Sequence, residues 1–217
     1  MAEPVILQAQ NLVELTLSAS VTAKVGDLIG HDGTNWVLAD ADARVPAQYV
    51  AMEYGAAGAR IHACQSGVIY DSDAPYTTGN DQYLSATAGA HTATIPAIST
   101  TLTLLQRVGK ALTTDSMAFN LVNRGPHTMR VRAAYDPVSL AATTARDDTV
   151  TVTGLVSTDV IRGVHVADIT GTGWNSGLVI QGMDVSAGDT LRVRLTNPTA
   201  GALDGASVNL DVFAERY

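Results

Sequence analysis

Apolar side chains recur at every second position in segment after segment of this 217-residue chain. In the second half, Met129, Val131 and Ala133 alternate with Arg130 and Arg132, and Val150 and Val152 with Thr149, Thr151 and Thr153. Leu191, Val193 and Leu195 alternate with Arg192 and Arg194, and Val208, Leu210 and Val212 with Asn209 and Asp211. A period of two sends successive side chains to opposite faces of a strand, so each segment has one face to bury and one to leave in water. The segments 161–169 and 178–185 lie between these strands. Expected turns fall at Asp147-Asp148, Ser157-Thr158-Asp159, Gly171-Thr172-Gly173, Ala187-Gly188-Asp189 and Asn197-Pro198. This spacing predicts a small antiparallel sandwich. Helix signals are weak throughout. The stretch 139–146 has room for a turn or two, against which Thr143 and Thr144 count.

The first half is more broken. Val13, Leu15 and Leu17 alternate with Glu14, Thr16 and Ser18, which predicts an edge strand of the chain's own sheet or an extended arm reaching a neighbouring subunit. Leu28 to His31 and Trp36 to Ala39 flank Asp32-Gly33-Thr34-Asn35. An Asp-Gly pair between apolar runs signals a hairpin, because glycine takes positive φ without strain. Strands are expected over 49–52, 60–64 and 67–70, the last two split at Ser66-Gly67. In the stretch 71–112, Gly79-Asn80-Asp81 and Gly89 are turns around a short strand at 82–87. Residues 108–112 form another, in which Gly109 marks a bulge or a close backbone approach. Residues 117–122 close the first domain. Asn123-Arg124-Gly125-Pro126-His127 is the expected boundary, since Gly-Pro interrupts both helix and ladder. The domains predicted are therefore 1–124 and 125–217, the first a small irregular β-barrel or sandwich and the second a β-sandwich.

Composition narrows the function classes. Thirteen Lys and Arg stand against twenty-one Asp and Glu, a net charge of -8, and the only lysines are Lys24 and Lys110. Nucleic-acid binding needs a basic surplus to displace counterions, so no nucleic-acid partner is expected. The excess acid serves solubility and resists self-aggregation. No apolar run approaches a membrane span, so no membrane partner is expected either. The opening Met1-Ala2-Glu3-Pro4 has no basic, apolar or cleavage region of a signal peptide, which predicts synthesis in the cytoplasm. The single Cys64 excludes an intrachain disulfide and is expected to be a buried, inert thiol.

No chemistry-bearing motif stands out. His31, His62, His91, His127 and His165 lack zinc-ligand spacing, and surface or strand positions are expected for them. His31-Asp32 has no nucleophile elbow to serve, since Gly173-Trp174-Asn175-Ser176-Gly177 places its serine one position late. Asp71, Asp73, Asn80 and Asp81 lack the glycine and closing glutamate of a calcium loop and read as solvated turn acids, as do Asp40 and Asp42. Gly171 and Gly173 are not followed by the third glycine of a dinucleotide site. No catalytic residue, metal or cofactor is expected, and the chain does not read as an enzyme. Trp36 opens a strand and is expected in the core. Trp174 and Asn175 sit in a glycine-rich loop and are the candidate partner-contact residues; the alternative is that Trp174 folds back onto the sandwich.

Several segments of the first domain resemble phage head decoration, or cement, proteins. They are Val25-Gly26-Asp27-Leu28-Ile29-Gly30 with Trp36-Val37-Leu38-Ala39-Asp40-Ala41-Asp42, then Gly67-Val68. Gly79-Asn80-Asp81-Gln82-Tyr83-Leu84-Ser85-Ala86-Thr87-Ala88-Gly89 and Val108-Gly109-Lys110-Ala111-Leu112 complete the set. The resemblance spans about half of the chain, and similar patterns also look like parts of phage fibre and baseplate proteins. The second domain looks like the Ig-like sandwich that phage structural proteins append, ending in Asn197-Pro198-Thr199-Ala200-Gly201. The resemblance implies a virion protein on the outer capsid surface, often a homotrimer, that binds the major capsid protein and clamps neighbouring subunits. The family has no catalytic residues to carry over. The rival expectation is a tail-fibre or adhesin component that binds host-surface carbohydrate.

Overall fold

The computed structural model describes residues 3–74, 76–98, 100, 102–122, 127–167, 177–205 and 207–216. The protein is all-β, with sixteen strands among the described residues. In chain order they are β1 (Val5–Thr16), β2 (Leu28–His31), β3 (Trp36–Leu38), β4 (Tyr49–Ala51), β5 (Arg60–Tyr70), β6 (Asp81–Leu84), β7 (His91–Thr92) and β8 (Thr103–Leu105). They continue with β9 (Arg107–Ala111), β10 (Ser116–Asn120), β11 (His127–Tyr135), β12 (Thr144–Thr151), β13 (Val160–Ala167), β14 (Val179–Ala187), β15 (Thr190–Asn197) and β16 (Val208–Arg216). Two compact units result, residues 1–97 with 104–127, and residues 98–103 with 128–217. Proximity in sequence does not assign 98–103, which leaves the first unit and joins the second.

The first unit is one curled nine-stranded sheet, and β5 organises it. One edge of β5 is taken by β1, from Thr16 opposite Arg60 to Val5 opposite Tyr70. Its other edge is shared: β4 pairs at Ala63 and Cys64, and β10 pairs from Ser66 to Tyr70. From β4 the sheet continues through β2 to β3, and from β10 through β9 and β6 to β7. Leu17 then bridges Trp36, with Ser18 N–H donating to Trp36 C=O at 2.9 Å, which brings the end of β1 to β3 in a sheet curled as a half-barrel. Its interior holds Leu15, Leu17, Ile29, Tyr49, Ala51 and Ile61. Trp36 is half-buried against this cluster, edge-on to Tyr49 at 5.4 Å. Full burial of a leucine or isoleucine stabilises by roughly 1.5–3 kcal/mol.

The expected hairpin is present. Ile29, Gly30 and His31 pair with Leu38, Val37 and Trp36, and Gly33 turns the chain at φ 103°. The Asp32 carboxylate accepts from Thr34 N–H and Asn35 N–H, both at 2.8 Å. One expectation is corrected: residues 60–70 form a single strand, not two separated at Ser66-Gly67. A Cβ on Gly67 would stand 1.9 Å from the Gln8 carbonyl oxygen. The glycine is therefore there for close approach of β1, not as a break. Gly109 answers to the same need, since its Cβ would lie 2.4 Å from Ala118 O, and a register shift sits opposite it at Gln82 and Tyr83.

The second unit is a β-sandwich of a four-stranded and a three-stranded sheet. One sheet runs β13-β16-β11 and is completed at its edge by β8, which begins in the 98–103 segment; the other runs β12-β15-β14. The alternating apolar positions fill its interior: Met129, Val131, Leu191, Val193, Leu195 and Leu210 are all within 1% of full burial. The strand order places the last strand, β16, between β11 and β13. Asn197, fully buried, anchors the end of β15 by donating from Nδ2 to the carbonyls of Leu140, Ala141 and Gly201. One expectation is corrected. Asp147-Asp148 is no turn but lies within β12, opposite Arg194 and Val193, because Arg194 and Arg146 take up the two charges. Residues 139–146 form no helix: Leu140 bridges Leu203, Thr143 turns at φ 53°, and β12 starts at Thr144. The expected turn at Gly171-Thr172-Gly173 and most of the boundary segment 123–127 lie outside the described residues.

Candidate functional site

A group of perturbed titratable side chains lies in the first unit, in a cleft of about 180 Å³. Three turns build it. Val25-Gly26-Asp27, with Gly26 at φ 90°, forms one wall. Asp71 and Tyr76, after the end of β5, form the second, and Gly89-Ala90-His91 the third. Gly89 ties the third wall to the hairpin, since its carbonyl accepts from Leu28 N–H and its N–H donates to Ala39 C=O, both at 2.8 Å.

Inside the cleft the Tyr76 and His91 rings stack at 5.5 Å with 18° between their planes. Tyr76 Oη and His91 Nε2 are 3.2 Å apart, and His91 Nδ1 stands 3.3 Å from Gln82 Oε1. A carboxamide oxygen only accepts, so Nδ1 carries the imidazole proton and Nε2 accepts from the Tyr76 hydroxyl. Gln82 is itself buried, and its Nε2 has no partner among the described residues. Burial pushes His91 below the usual imidazole range, with the nearby Asp71 carboxylate opposing it. Burial also pushes Tyr76 up to about 12, Asp71 adding to the effect. Asp27 is raised by burial, against the pull of the Lys24 N–H that it accepts at 2.8 Å.

These groups make a neutral hydrogen-bonded chain, Tyr76 to His91 to Gln82, that holds Tyr76 onto β6 and β7. Shifted pKa values in a cleft are a functional signal, and they arise equally in structural networks. Among the described residues no serine, threonine or cysteine lines this cleft. Its volume also falls below the roughly 300–1,000 Å³ of small-molecule sites. The arrangement suits a rigid contact surface.

The residues singled out from the sequence are placed as follows. Trp174 and Asn175, the candidate partner contacts, lie outside the described residues. Asp71, Asp73 and Asp81 do not converge: Asp71 accepts from Asp73 N–H at 3.0 Å, while Asp81 pairs with Arg107 at 2.7 Å. Asp40 caps its own turn by accepting from Asp42 and Ala43 N–H. Among the described residues no group of three or more His, Cys, Asp or Glu is placed to hold a metal ion. His31 packs edge-on to Trp36, and His62 pairs with Glu53 at 2.7 Å. Cys64 is buried, and desolvation pushes its thiol up to about 11, away from the reactive thiolate. The Tyr76–His91–Gln82 chain was not legible in advance. Its members stand 15 and 9 residues apart along the chain, and only the turns at Gly79 and Gly89 hinted that the segment folds back.

Comparison with protein-family models, with curated proteins and with solved structures found no match for this chain.

Proposed function

We propose that this protein is a non-catalytic phage capsid decoration protein, which binds the outer surface of an assembled head as a trimer and stabilises contacts between major capsid protein subunits. One observation carries the reading beyond the sequence resemblance. The segments that resemble decoration proteins are dispersed between residues 25 and 112, yet in the fold all but Gly67-Val68 are hydrogen-bonded to one another. Leu28 binds Gly89, Gly89 binds Ala39, Ala41 N–H donates to Ser85 C=O at 3.0 Å, and Gly79 N–H donates to Ala111 C=O at 2.9 Å. The resembling residues thus specify one module, not scattered turns. A rigid β module suits a clamp, because a protein that binds only the assembled lattice shifts the equilibrium toward assembly by mass action. Many copies on one particle add through multivalency.

The test is co-sedimentation of the purified protein with expanded capsids that lack it. Saturable binding, with raised resistance of the capsids to heat, is the expected result. Protein that stays in the supernatant at all concentrations overturns the reading.

A further inference from the structure

We infer that Tyr76 is an acid-released latch: protonation of His91 frees the Tyr76 side chain and opens its cleft, while the rest of the first unit stays folded. The latch does not depend on capsid binding. Its members differ in how they are held. Gln82 lies in β6 and His91 in β7, where Leu84 stands opposite His91. Directly opposed residues share a face, and so do residues two apart on a strand, so Gln82, Leu84 and His91 project to one side. Tyr76 lies in no strand. Its backbone N–H donates to Ala74 C=O at 3.0 Å and to Thr114 C=O at 3.1 Å. Tyr76 is therefore the member that can leave without breaking a sheet ladder.

Donor and acceptor roles make the contact sensitive to a proton. With His91 neutral, the Tyr76 hydroxyl donates to Nε2, and Nδ1–H donates to Gln82 Oε1. A second proton turns Nε2 into a donor that faces the hydroxyl hydrogen. The hydroxyl must then rotate and find another acceptor, and a buried donor left unpaired is costly. Gln82 gives no relief. Its one oxygen is engaged, and its Nε2 is already a buried donor with no partner among the described residues.

The surrounding charges compete. Asp71, after the end of β5, shares the cleft and attracts an imidazolium. Asp27 lines another wall, with Lys24 beside it. Asp81, one residue before Gln82, projects to the other side of β6 and pairs there with Arg107. Among the described residues no lysine or arginine lines the cleft. Both cleft carboxylates therefore favour a closed, charged His91. Burial of the ring nevertheless outweighs Asp71 and keeps His91 below the usual imidazole range. Water relieves a buried imidazolium, and the stacked Tyr76 ring is cover whose departure admits water. The open form thus binds the proton more readily than the closed form, and acid shifts the population toward opening.

The experiment is NMR of the full chain at pH 7 and pH 5, on the wild type, His91→Gln and Asp27→Asn. Two signals report the latch: amide-exchange protection of Tyr76, and the Tyr76 ring resonances, which the stacked imidazole displaces. The amide of Leu17, bonded to Ala59 C=O outside the cleft, reports the rest of the unit. From pH 7 to pH 5, Tyr76 protection should fall by roughly tenfold as an open His91 titrates near its ordinary pKa. The ring resonances should move with it, and Leu17 protection should stay constant. His91→Gln should abolish the response, and Asp27→Asn, which removes the other titrating group of the cleft, should retain it. Tyr76 protection that stays constant or rises toward pH 5 overturns the inference. So does a His91→Gln variant that responds like the wild type, or an Asp27→Asn variant that does not respond. Leu17 protection that falls in step with Tyr76 also overturns it, since the whole unit would then be opening.

Discussion

The two units reach their all-β folds by different means. The first relies on backbone that only glycine permits. Gly26, Gly33, Gly58, Gly79 and Gly89 all have positive φ there, against Gly154 alone among the glycines described in the second unit. Gly30, Gly55, Gly67 and Gly109 each sit where a Cβ would come within 2.4 Å of a neighbour. The second unit relies on side-chain pairs. Arg132–Asp211, Arg162–Glu215, Arg192–Asp184, Arg194–Asp147 and Arg216–Asp159 cross-link its strands and loops. A sheet that must curl needs close backbone approach. A sandwich of flatter sheets can hold its strands by paired charges on their outer faces.

The largest expected effect breaks the second unit's device. Asp159 has a fully buried side chain and accepts from Arg216 through both oxygens at 2.8 Å. Arg216→Ala leaves that carboxylate buried and unpaired, which costs about 3–5 kcal/mol. The matching Arg60→Ala in the first unit removes an exposed pair with Glu14 and should cost less than about 1 kcal/mol. Chemical denaturation of both variants checks the contrast. Equal losses would mean that the burial of Asp159 carries no weight.

Glycine substitutions should reverse the ranking of the units. Gly67→Ala drives a Cβ into the Gln8 carbonyl and should destabilise the first unit by about 3 kcal/mol as β1 is pushed off β5. Gly182→Ala, within β14, meets nothing within 4 Å at an ordinary φ. It should instead stabilise by about 0.4–1 kcal/mol, by restricting the unfolded chain. Calorimetry on the two variants decides, and a stable Gly67→Ala would remove close approach as the reason for that glycine.

Acid sharpens the comparison with the smallest effect. His91 is held neutral by burial, with a folded-state pKa below the unfolded value near 6.5. The unfolded chain therefore binds the proton first. The stability that neutral His91 provides is complete above about pH 6.5 and falls as pH drops toward its folded pKa. His127, also lowered by burial, acts in the same direction. In the second unit Asp211 is held down by the Arg132 hydrogen bonds, so its contribution is lost only below the ordinary carboxylate pKa of 3.8. A stability profile between pH 7 and 5 should decline in the wild type and flatten in His91→Gln. An unchanged slope in the variant would show that His91 does not carry it.

Local patterns settled much of this fold in advance. The hairpin around Asp32-Gly33, the alternating strands of the second unit and the all-β class follow from period and turn chemistry, which act over a few residues. The function expected from resemblance rests on the same short motifs. Pairing over long distances was decided only by the tertiary structure. Gly67 reads locally as a break, yet it joins two halves of one strand because Gln8, 59 residues away, needs the space. Asp147-Asp148 reads as a turn until Arg194 arrives from β15 to neutralise it. His91 reads as a surface or strand histidine; it lies in β7, and only the fold stacks Tyr76 on it. Local conformational preference is written in neighbouring residues, whereas burial, charge matching and shared faces depend on partners that the sequence alone does not place.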